Sequence, residues 1–126
     1  MNDGATPLFI AAQKGHDTVV VTLLDAGADT ALAMNNGATP LFIAAQYGHD
    51  AIVRTLLDAG ADKDLTTNDG ATPLIVAAMH GRVSIVRALL DAGADKSIAT
   101  NSGDTPMLLA FQRGHAVVFL ALLDAT

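Results

Sequence analysis

The chain has 126 residues, is 51% hydrophobic and lacks cysteine, so it is the size of one domain with ample material for a core, and disulfide and thiolate chemistry are excluded. A formal net charge of −6, with seven Lys+Arg that form no cluster, argues against nucleic acid, whose phosphates demand a basic patch. The longest apolar run, Ala116 to Leu123, is far below the roughly 18 to 20 residues of a membrane helix and no signal peptide is visible, so a soluble, cytoplasmic protein is expected.

Asn2-Asp3-Gly4 opens the chain with turn chemistry, and the slot returns as Asn35-Asn36-Gly37, Asn68-Asp69-Gly70 and Asn101-Ser102-Gly103. These residue types tolerate positive φ, so each slot is expected to form the tip of a short hairpin. Thr6 then offers a capping oxygen and Pro7 takes the first helical position, which starts a helix that runs through Lys14 and stops at Gly15. A second helix is expected from about Asp17 to Ala26, its apolar stripe made by Val19, Val20, Leu23 and Leu24. From Ala28-Asp29 the chain leads out to the next tip.

The same phrase then recurs. Thr6, Thr39, Thr72 and Thr105 each precede a proline, at a constant spacing of 33 residues, and a fixed period of this size means a stack of identical units. Helices of about eight to ten residues are only about 15 Å long and marginal alone, so their stability has to come from neighbours. The pairs Ala11-Ala12, Ala44-Ala45 and Ala77-Ala78 leave room for helix pairs about 8 to 10 Å apart. One array over 1–126 is expected, divided into units 1–33, 34–66, 67–99 and 100–126.

The run Gly37-Ala-Thr-Pro-Leu-Phe-Ile-Ala-Ala45, then Gly48-His49, then Leu56-Leu57-Asp-Ala-Gly-Ala-Asp62, closely resembles the ankyrin repeat, and the likeness covers nearly the whole chain. The resemblance implies an all-α repeat fold, an ankyrin-type solenoid of stacked helix-turn-helix units joined by β-hairpin-like loops. It further implies a non-catalytic module that binds a protein or peptide on a concave face made by the hairpin tips and the exposed side of the first helices. Carried onto this sequence, the tips supply Asn35, Asn36, Ala38, Asn68, Asp69, Ala71, Asn101, Ser102 and Asp104. The helix ends supply Gln13, Lys14, Gln46, Tyr47, Met79, His80, Gln112 and Arg113. Lys14, Tyr47, His80 and Arg113 share one slot and are expected to form a ladder with steps of about 10 Å, in which Tyr and Arg are residue types enriched at interface hot spots. The competing reading makes them ordinary solvated residues that end a helix.

Chemistry of other kinds finds no support. His16, His49 and His115 are equivalent residues of stacked units, on the order of 10 Å or more apart, so they do not share a zinc ion and are assigned a structural role at the start of the second helices. Asp25, Asp58, Asp91 and Asp124 form a ladder on a solvated face, and no phosphate loop, nucleophile elbow or zinc-protease motif occurs. No enzyme, no metal and no cofactor is expected.

Two departures from the family pattern stand out. Where the signature has a histidine after Thr-Pro-Leu, this chain has Phe9, Phe42, Ile75 and Leu108, which implies an apolar column in place of a polar network. The last unit is also more apolar than its predecessors, with Val117, Leu120 and Phe111. These side chains either fold over the end as a cap or leave a face open for self-association, or for continuation if the chain is cut from a longer array. Near-identity of Gly4–Gln13 and Gly37–Gln46 keeps an alternative in view: a structural or scaffold repeat protein, designed or reconstructed, with no native ligand and self-associating through that last unit.

Overall fold

The computed structural model describes residues 4–125. The turn expected at Asn2-Asp3 lies outside the described residues. Eight helices occur among the described residues: α1 (Pro7–Lys14), α2 (Asp17–Asp25), α3 (Pro40–Tyr47), α4 (Asp50–Asp58), α5 (Pro73–Met79), α6 (Val83–Asp91), α7 (Pro106–Gln112) and α8 (Ala116–Asp124). They form four antiparallel pairs.

Local chemistry sets each start. Thr6, Thr39, Thr72 and Thr105 are extended, and each Oγ1 accepts the N–H three residues on, at 3.1 to 3.2 Å, with proline at the first helical position. The second helices α2, α4 and α6 close when the N–H groups of Ala28, Ala61 and Ala94 donate to the carbonyls of Leu23, Leu56 and Leu89 at 2.9 to 3.0 Å. At the end of α8 this closure is replaced. Lys96 Nζ, from the loop of the preceding pair, donates to the carbonyls of Leu122 (2.7 Å) and Ala125.

First helices pack on first helices in the order α1, α3, α5, α7, and second helices on second helices in the order α2, α4, α6, α8, the first row more closely. Alanine permits the closer approach: Ala11, Ala12, Ala44, Ala45, Ala77, Ala78 and Ala110 are all buried. The second row contributes the large buried side chains, among them Ile52, Leu56, Ile85, Leu89 and Leu122. One core cluster therefore runs through all four pairs.

The tips are hairpin-shaped but one hydrogen-bonded pair wide. Met34, Thr67 and Thr100 each donate N–H to the carbonyl of Ala38, Ala71 and Asp104 at 2.9 to 3.0 Å, and no strand occurs among the described residues, because the arms are too short for a ladder. Successive tips are joined. Asn68 N–H donates to Asn36 O (2.8 Å) and Asn101 N–H to Asp69 O (2.9 Å), so the tips line one edge of the stack.

The apolar column is shielded unevenly. Phe9 and Ile75 are buried, Phe42 is half-buried, and Leu108 is 38% exposed. At the far end, Phe111 stands where the other pairs have the fully buried Ala12, Ala45 and Ala78. It is 70% exposed and leans on Phe119, with ring centroids 6.0 Å apart. With Gly114, Ala116 and Leu120 these rings border an apolar groove of about 430 Å³, so the end face is open rather than capped. Val117 occupies a different surface, the outer one on which Thr18, Ala51 and Ser84 are exposed in the other pairs.

Candidate functional site

Candidate residues fall into two rows either side of a recessed strip. One row is the tips, the other the C-terminal ends of the first helices. Two grooves occupy the strip. The first, about 380 Å³, is bordered by Phe9, Ile10, Met34 and Phe42, with Lys14 and Gln46 at its edge. The second, about 350 Å³, has Phe42, Ile75, Met79 and Leu109 as apolar lining, between Asp69, Asn101, Ser102 and Asp104 on the tip side and Arg113 on the other. Phe42 belongs to both, so the strip is continuous.

At the helix ends, Lys14, Tyr47, His80 and Arg113 are all exposed, as are Gln112 and, in part, Gln13, Gln46 and Met79. Tyr47 is 50% exposed and stacks on His49 with ring centroids 6.4 Å apart. His80 is held below the ordinary histidine value, chiefly by burial and then by the positive charges of Arg82, Arg113 and His115. Four basic groups therefore gather at the ends of α5 and α7.

The tips split into bonded and outward-facing residues. Asn68 and Asn101 spend their Nδ2 groups on the carbonyls of Asn35 (3.1 Å) and Asn68 (3.0 Å), one tip to the next. Asn36 Oδ1 accepts the Ala38 N–H at 2.9 Å. Ala38, expected at the surface, is buried beneath that turn, yet it still borders the first groove. Asp69 and Ser102 are exposed and Asp104 and Ala71 half-buried.

A row of links that the sequence only hinted at lies directly behind the helix ends. His49 Nε2 lies 2.9 Å from Gln13 O, Arg82 Nη2 donates to Gln46 O at 3.1 Å, and His115 Nε2 lies 3.0 Å from Met79 O. Each reaches back across a pair boundary to a carbonyl left open at the end of a first helix. This is the structural role of His49 and His115, and Arg82 performs it where histidine is replaced. Arg82 Nε is buried without a hydrogen-bond partner. Among the described residues no group of three or more His, Cys, Asp or Glu is placed to hold a metal ion.

A family model described as ankyrin repeats (3 copies) matches residues 1–67 and again residues 59–126. The chain belongs to the ankyrin repeat family. Comparison with curated proteins gives no match. Ankyrin repeats are in general protein–protein interaction modules and in general non-catalytic. Among the described residues no helix of this ankyrin array is long and apolar enough to cross a membrane.

Sequence reasoning overlooked part of the face. Phe42, Ile75 and Leu109 border the strip, although Phe42 and Ile75 read only as part of the apolar column, and neither Leu109 nor Arg82 was given a part. The usable signal was the 33-residue comparison itself, which puts Arg82 in the slot of His49 and His115.

Proposed function

We propose that this ankyrin array is a non-catalytic interaction module that grips a protein or peptide along the strip between its tips and the ends of its first helices. The observation that carries this reading is the row Lys14, Tyr47, His80 and Arg113, exposed at the ends of successive first helices, with Lys14 and Arg113 bordering the two grooves of the strip. Tyr47, half exposed, is the row's aromatic anchor in this reading, since its ring buries large area at low entropic cost. The test is capture of partners from a proteome by the wild type and by the Tyr47→Ala/His80→Ala double variant. The variant is expected to keep its helicity and lose its specific partners; a partner set captured equally by both rejects this surface.

A second reading is self-association through the apolar end face. Its support is Phe111 at 70% exposure beside Leu120, also more than half exposed. Sedimentation across a concentration series separates the two, because end-face association is abolished by Phe111→Ala/Leu120→Glu and is indifferent to Tyr47 and His80.

A further inference from the structure

The groove beside α5 and α7 carries opposite charges on its two walls. Among the described residues the two varying tip positions read Asn36 and Ala38, then Asp69 and Ala71, then Ser102 and Asp104, so two carboxylates, Asp69 and Asp104, border this one groove. At the opposite wall the helix ends bring Arg113, with His80, Arg82 and His115 close by. Asp17 and Asp50 follow His16 and His49 in the first two pairs, whereas the equivalent positions of the last two pairs are Val83 and Ala116. No carboxylate therefore stands at the start of α6 or α8 to offset the cations. The result is an apolar floor between an acidic wall and a basic wall, within a chain whose overall charge is −6.

We propose that this second groove selects a peptide segment of a partner protein that places a basic side chain against Asp69 and Asp104, an apolar side chain on the floor at Ile75, Met79 and Leu109, and an acidic side chain against Arg113. The order follows from charge complementarity. A segment laid the opposite way would set like charges against both walls. The walls thereby fix the direction in which a partner crosses, while the floor supplies area without direction. A tight grip is not required of either charge: rim charges act mainly on encounter and orientation. This inference rests on the reading of the strip as a partner-binding face.

The experiment is selection of a randomised extended-peptide library against the purified chain. Selected peptides are expected to share one order of basic, apolar and acidic positions, and to lose at least about tenfold in affinity when the two charges are exchanged. Against Asp69→Lys/Asp104→Lys the basic position should become acidic, and against Arg113→Glu the acidic position should become basic. Circular dichroism of both variants confirms that these surface changes leave the stack folded. Peptides that compete at the groove and are lost with Met79→Asp, but show no charge order, overturn this inference and leave the interaction module standing. A library that yields no peptide bound to the strip overturns both.

Discussion

The links behind the helix ends make a sharp prediction at Gly81. Gly81 has φ 70°, a left-handed conformation, and a methyl group added to it would lie 2.7 Å from His115 Nδ1. Gly114 has nearly the same backbone, φ 74°, with nothing within 4 Å of such a methyl. Gly114→Ala therefore measures the left-handed strain alone, about 1 to 2 kcal/mol. Gly81→Ala adds displacement of the His115 ring from Met79 O, currently 3.0 Å away. That loss is worth about 1 kcal/mol for the bond, and up to about 2 more if the carbonyl at the end of α5 stays unpartnered. The expected totals are about 2 to 5 kcal/mol for Gly81→Ala against about 1 to 2 for Gly114→Ala. Urea denaturation followed by far-ultraviolet circular dichroism reads both, as midpoint shifts at constant m. In a His115→Ala background the excess at Gly81 should vanish, so the double-mutant cycle returns a coupling of about 1 kcal/mol or more. Equal losses at the two glycines, or a coupling of zero, refute the claim that His115 latches the third pair to the fourth.

Lys96→Met removes the donor that closes α8 at Leu122 O and Ala125 O, and with it a cation at a helix C-terminus. A loss of about 1 to 2 kcal/mol is expected, with hydrogen exchange accelerated in α8 and not in α2; unchanged exchange in α8 counts against the cap. His80 gives a pH dependence. Its folded value lies below 6.5, so the unfolded chain binds the proton more readily, and stability is fully present above 6.5 and falls as pH drops through that value toward the folded one. His80→Gln should flatten this slope as pH falls through 6.5, and superimposable profiles would sink the assignment.

The fold was legible because its rules are local and repeated. Thr-Pro sets each first helix, glycine ends it, and one 33-residue comparison exposes the same instruction four times. The roles of individual side chains across pair boundaries were less legible, since they depend on where a neighbour's carbonyl lies. His49 and Arg82 differ in chemistry and length yet reach equivalent carbonyls, which only the stacked backbone reveals. Asn68 and Asn101 read as candidates for a partner, while their amides also tie one tip to the next. Lys96 drew no attention, because the helix end it closes belongs to the following pair.

Phe111 changes what the end of the stack can accept. In three pairs the equivalent alanine is fully buried, whereas Phe111 is 70% exposed and borders an apolar groove. A surface that docked there would have to seat an aromatic ring rather than close on a methyl group.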